Sequence, residues 1–322
     1  MLSERNTVGV VLVLLAAAIW GTVGPAQVLS GTEADPGALG ALRLLVGGAV
    51  LSLPALRRVP WRALAKRDTW PWVLAAAMST AMYQATFLYA VELTGAAIGT
   101  TVALGFAPFA TGLFAWWWAG QKPDRRWLIG TLAAVLGCAL ILAPSGEVRV
   151  DAMGVVFAVV SGCCYGAYTV SAKRFINTGI APTATIAITL VIGGMLLAPL
   201  IVWRSEHLLE PNTLLFVAWI GVIGTAAAYL LFGRGLNLIS ATVAGTLSLV
   251  EPLTAALLGV LVLGESMTPF MMLGSVLLLT GILVISLPME DRRRRPAKGA
   301  ADTEEVATPK TLPAGRRTST MP

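Results

Sequence analysis

The feature that most constrains this chain is a succession of apolar segments, each about as long as a bilayer is thick. A helix crossing a membrane core needs about 20 apolar residues. Ten such segments are read, at 8–28, 37–56, 72–91, 96–118, 127–143, 153–172, 185–202, 213–232, 241–263 and 270–287. The connections between them are short. Of 322 residues, 56% are hydrophobic and 12% are charged, with a mean hydropathy of +0.77. Soluble domains carry about 25% charged residues. A soluble fold of this composition would have a sticky surface. An ordinary cytosolic enzyme is excluded, and the expected class is an all-α integral membrane protein with ten transmembrane helices.

The net charge of +6 and pI near 9.5 suggest nucleic acid only until the charges are placed along the chain. Basic loops stay cytoplasmic. With the N-terminus inside, twenty Lys and Arg fall on inner segments, two on outer ones (Arg149 and Arg204), and Arg43 within a span. The predicted arrangement is a multi-pass protein of the plasma (inner) membrane with both termini cytoplasmic and no nucleic-acid partner. The basic run at 292–295 reads as a stop signal that touches anionic lipid. Trp61, Trp70, Trp72, Trp116, Trp117, Trp118, Trp127 and Trp203 fall near predicted interfaces, where an amphipathic indole is stable. Cys138, Cys163 and Cys164 all lie in spans and read as small packing residues. No metal site or cofactor is expected.

Self-comparison adds an internal repeat. Gly9, Val10, Val11 and Gly21 recur as Gly154, Val155, Val156 and Gly166, with Tyr165 in place of Trp20. Ala97, Pro108, Gly120, Gly130, Gly137 and Pro144 recur as Ala241, Pro252, Gly264, Gly274, Gly281 and Pro288. The pair Gly47-Gly48 returns as Gly193-Gly194. The chain thus reads as a five-helix unit at 1–145, a second at 146–289, and a tail at 290–322 that is too polar to bury a core and is expected to be disordered. The first span resembles a signal peptide, but its internal copy assigns it to the fold. Five is odd, so the second unit crosses in the opposite sense. Inverted repeats are a recurrent architecture of secondary transporters. Duplication that only makes a packed bundle is the alternative.

The stretch YLLFGRGLNLISATVAGTLSLVEPLTAALLGVLVLGES, residues 229–266, closely resembles the last-repeat signature of the EamA-type transporters of the drug/metabolite transporter superfamily. AAAIWG at 16–21, ALRLLVGG at 41–48 and SAKRF at 171–175 also fit. The resemblance covers about residues 8–288. It implies ten helices in two inverted repeats around a central cavity, and movement of small metabolites, commonly export of amino acids or related compounds. Drug-like amphiphiles are a further substrate class. The first repeat departs from the pattern. Where the second has Glu251-Pro252 and Gly264-Glu265, the first has Ala107-Pro108 and Gly120-Gln121.

Ionisable groups inside a membrane are costly, so each needs a reason. Glu251 is the candidate for a proton-linked or cation-recognising group, against a fixed hydrogen bond or ion pair. Arg43 either anchors the structure or binds a carboxylate. Lys173 and Arg234 reach the inner interface along their stems. Pro108 and Pro252 each remove a backbone donor mid-span, freeing carbonyls toward a cavity or simply kinking the helix. Polar residues recur on single helix faces: Ser79, Tyr83 and Thr86 with Gln84 beside them, then Ser161, Tyr165 and Tyr168, then Thr225 with Tyr229, then Ser248 with Glu251. Trp20, Tyr83, Gln84, Tyr165, Tyr168, Tyr229 and Ser248 are the candidates for lining a substrate cavity. Hydrogen bonding between helices is the rival role for the hydroxyls.

The leading expectation is a secondary transporter exporting small molecules by alternating access, with possible proton coupling. A GxxxxGK[ST] phosphate loop does not occur in the sequence. A non-transporting membrane scaffold or regulator is the second class, and an integral membrane enzyme the third. The enzyme reading suffers from a single histidine, His207, and from the lack of HExxH and GxSxG.

Overall fold

The computed structural model describes residues 2–55, 64, 66–143 and 151–287. Arg57, Arg58, Trp61, Arg62, Arg149 and the tail from 290 lie outside the described residues. Everything described outside short connections is helical: α1 Leu2–Gly21, α2 Val23–Ser30, α3 Pro36–Ala55, α4 Trp70–Ala119, α5 Arg125–Ile141, α6 Ala152–Asn177, α7 Pro182–Trp203 and α8 Pro211–Ala218. A π-helical stretch, Trp219–Ala227, leads into α9 Ala228–Leu238. Then come α10 Ala241–Leu247, α11 Val250–Leu263 and α12 Pro269–Ser286. Among the described residues, eight helical segments are long and apolar enough to cross a membrane.

Two elements depart from the expected spans. The segments expected at 72–91 and 96–118 run together as α4, whose 50 residues would reach about 75 Å if straight. They are not straight. Gly95 sits at φ 80° and ψ 160°, a region essentially reserved for glycine, and breaks the run into two arms. The fifth segment, α5, is only 17 residues long. Pro108 stays within the helical course of the second arm. Pro252 lies in the first turn of α11, where its missing N–H is no loss. The interruption in that span falls just before it, between α10 and α11.

Helix starts follow side-chain capping. Asp124 accepts from the Trp127 N–H (2.6 Å), Asp151 from Gly154 (2.9 Å) and Thr268 from Met271 (3.1 Å). Several ends are held by cations at the last carbonyls. Lys173 Nζ donates to the Leu236 (2.6 Å) and Asn237 (3.0 Å) carbonyls at the end of α9. Arg174 donates to the Trp118 carbonyl near the end of α4 and lies over the Trp72 ring at 5.3 Å. Arg126 Nε donates to the Val284 carbonyl (2.5 Å) near the end of α12.

Small residues fill many of the helix contacts, beside buried large ones such as Phe175, Phe232 and Leu190, while many other large apolar residues face outward. Ala16, Ala76, Ala77, Thr111, Ser161, Thr185 and Ala228 are fully buried, while Met78, Leu113, Trp117, Leu261, Val276 and Leu283 are exposed. In lipid, helices associate by close packing, for which small residues are suited. A Cβ on Gly137 would lie 2.4 Å from the Leu278 nitrogen, and one on Gly281 2.4 Å from the Gly130 carbonyl oxygen, so α5 and α12 touch backbone to backbone. Elsewhere α1 packs on α9 and α11, α3 on α7, and α4 on α6. Trp127, in the first turn of α5, faces the protein interior. It is buried, and its indole N–H donates to the Thr242 carbonyl (3.1 Å), because a buried Trp needs an acceptor and α10 supplies one. The three cysteines are free thiols.

Candidate functional site

A cavity of about 450 Å³ lies among α1, α2, α3, α4, α6, α8, the π-helical stretch, α9 and α11. That is within the ~300–1,000 Å³ typical of small-molecule sites. Its walls include Gln27 of α2, Pro36 at the start of α3, and Val91, Ala96 and Ala97 around the Gly95 break. At the other end Trp20, Tyr165 and Tyr229 form a floor. Trp20 and Tyr229 meet edge-on at 5.0 Å between ring centroids. Tyr168 and Phe232 stack behind them at 6.3 Å, and Phe175 beyond is fully buried. The cavity is therefore blind at the aromatic end.

Of the expected residues, Trp20, Arg43, Tyr83, Gln84, Tyr165, Tyr229, Glu251 and Pro252 line this cavity. Tyr168, Ser248 and Pro108 do not. Tyr168 shares a helix face with Tyr165 but sits one turn deeper, past the floor. Ser248 accepts a 2.6 Å hydrogen bond from the Tyr165 hydroxyl and itself donates to the Ala244 carbonyl at 3.0 Å, so it positions the tyrosine. Thr86 donates back to its own helix at the Met82 carbonyl (2.7 Å), which satisfies the hydroxyl locally. Gln27, Phe87, Thr100 and Phe216 also line the cavity, and sequence reasoning missed them. Their residue types are ordinary in membrane helices, so no signal marked them.

Two ionisable side chains, Arg43 and Glu251, line the cavity. Arg43 projects from α3, and its Nε donates to the Thr225 hydroxyl at 3.2 Å. Thr225 comes from the π-helical stretch, a rare geometry that recurs at functional sites. Glu251 stands in the first turn of α11, where the positive end of a helix dipole favours a carboxylate. Arg43 and Glu251 face one cavity and make no ion pair with each other. Among the described residues no group of His, Cys, Asp and Glu is arranged to hold a metal.

The signature of the EamA-like transporter family matches this chain twice, over residues 7–143 and 152–287. The chain belongs to the EamA-like transporter family. An uncharacterised transporter of this kind, YwfM of Bacillus subtilis, is 40% identical over 290 residues, covering 89% of this chain and 96% of that protein. The threonine/homoserine exporter RhtA of Escherichia coli K12 is 30% identical over 269 residues, covering 82% and 86%. A solved crystal structure superposes with a TM-score of 0.73 at 21% identity, over 86% of this chain and 95% of the other, a likeness of fold alone. As an EamA-like protein of the drug/metabolite transporter superfamily, the chain is a multi-pass membrane protein with a small-molecule substrate.

Proposed function

We propose that the chain is a secondary transporter exporting small metabolites, amino acids first among them, across the plasma membrane by alternating access. The observation that carries this is the blind cavity, walled by residues from both halves of the chain and containing one cation and one anion. A site open at one end and sealed at the other is half of an alternating-access cycle. The amino-acid preference draws on the exporter RhtA.

Ten spans in two inverted five-helix units, 1–145 and 146–289, is the architecture of this reading. It counts the two arms of α4 separately and adds the short α5. Support comes from packing that is preserved when the halves are exchanged. A Cβ on Gly9 would meet Leu238 and Ile239, and one on its repeat mate Gly154 would meet Leu93 and Thr94. Gly21 abuts Thr254, and its mate Gly166 abuts Ala110 and Thr111. With both termini cytoplasmic, the cavity opens outward, and Lys173 and Arg174 tie helix ends on the sealed inner side.

Glu251 is the proposed coupling group, able to exchange a proton as the cavity changes sides. In proteoliposomes holding labelled threonine, an outward-directed flux driven by an imposed pH gradient is expected for the wild type. Glu251→Gln should retain threonine counterflow in part but lose its response to the gradient. A gradient response equal to wild type removes the coupling role. Comparing metabolites inside and outside cells that overproduce or lack the protein tests export itself, and identical profiles would overturn it.

A further inference from the structure

The two cavity charges carry an inference that rests on the transport reading and goes beyond it. We infer that Arg43 and Glu251 jointly read a zwitterionic head group, Arg43 taking its carboxylate and Glu251 its ammonium, in one fixed orientation. Two opposite charges in a membrane interior are most cheaply kept by pairing with each other. Here they line the same cavity without pairing. Each is held from its own helix, α3 on one side and α11 on the other.

The detailed geometry suits that division. Thr225 occupies the Arg43 Nε, leaving the two terminal amino groups of the guanidinium without a protein acceptor among the described residues. A guanidinium presents parallel donors that match a carboxylate. The Glu251 carboxylate makes no hydrogen bond among the described residues, and it lines the cavity that Arg43 also lines. A ligand carrying both charges compensates both groups at once. A ligand with one charge leaves the other uncompensated.

The repeat fixes the orientation. The position matching Arg43 in the second unit is Thr189, and the position matching Glu251 in the first is Ala107. Neither charge has a counterpart, so the site has a polarity that the scaffold lacks. The carboxylate end lies toward α3 and the ammonium end toward α11. Leu39, Phe87 and Ile220 give the ligand side chain an apolar wall.

The test uses the purified full chain in proteoliposomes, preloaded with threonine, and follows uptake of tritiated threonine. Competitors are threonine, threoninamide (no carboxylate) and the deaminated hydroxy acid (no ammonium). Each single-charge analogue is expected to compete roughly 10- to 100-fold more weakly than threonine, the loss for an unmade hydrogen bond to a charged group. Arg43→Gln should erase the preference over threoninamide and leave the preference over the hydroxy acid. Glu251→Gln should do the reverse. Arg43→Lys and Glu251→Asp, which keep charge, should retain part of each preference. Threonine exchange with no discrimination against the analogues, or variants that keep both preferences, would overturn the pair and leave transport standing. Exchange of none of the three compounds would overturn amino-acid transport and the pair together. If a neutral variant aggregates, the wild-type competition series decides by itself.

Discussion

Thr225 does for Arg43 what a partly buried arginine commonly needs: it engages one donor and fixes the plane of the rest. Thr225→Val removes that hydrogen bond while keeping the shape. Its expected effect is a roughly 2- to 10-fold weaker apparent affinity for threonine, the range for one ordinary hydrogen bond, with the protein still monodisperse in detergent. Unchanged affinity would show that Thr225 only packs. His207 offers a test outside the membrane. Its hydrogen bond to Glu210 (2.7 Å) and the charge of that carboxylate raise its pKa above the ordinary 6.5. The pair's contribution is present at acid pH, below the unfolded value, and is lost as pH rises through the raised value. As the chain's one histidine, it gives a single imidazole titration by NMR. Glu210→Gln should move that midpoint down, and a stationary midpoint would refute the pairing. At this scale the sequence was readable where chemistry was expensive. Arg43 and Glu251 stood out because charge is rare in a membrane. Gln27 and Phe87 did not, since neither residue is unusual at a helix end or in a bilayer.

Among the elements, three glycines separate three physical costs. Gly95 has open space where a Cβ would go, so Gly95→Ala carries only the backbone penalty of its conformation, about 1–3 kcal/mol. Gly137→Ala instead drives a methyl into the backbone of α12, and overpacking of this kind costs about 1–3 kcal/mol or parts the helices. Gly24, inside α2 with open space around it, should become roughly 0.5–1 kcal/mol more stable as Ala. Thermal unfolding in detergent should set Gly24→Ala above the other two, and a Gly24→Ala variant less stable than Gly95→Ala would contradict the account. Helix existence was legible because apolar length is a strong signal. The breaks were not. Pro252 drew attention as a helix breaker, yet it begins a helix, and the interruption belongs to the preceding residues, Ser248 and Leu249. Proline fixes φ and lacks a donor, which is equally compatible with a kink and with a first turn.

For the whole molecule, the proposed sidedness is checkable by labelling. A cysteine at Glu33 should react only with reagent outside the cell, and one at Gln121 only with reagent admitted from within. Labelling of both from one side would refute the proposed sidedness of the first unit. The repeat was visible in the sequence through glycines, because backbone contact tolerates little else at those positions. The cavity's depth was not visible, because it depends on where helices cross, and crossing depends on packing that no single helix encodes.

The packing of α1 against α9, with α4 against α6, also bears on how the chain is made. The first helix leaves the ribosome roughly 200 residues before its partner, a delay of roughly 10–40 s at ordinary rates of synthesis. During that interval its small-residue face has no helix to meet and must be tolerated by lipid or by the insertion machinery. Maturation is thus expected to be late and abrupt, with nascent chains cut short before Ala228 remaining sensitive to protease and full-length chains acquiring resistance in one step.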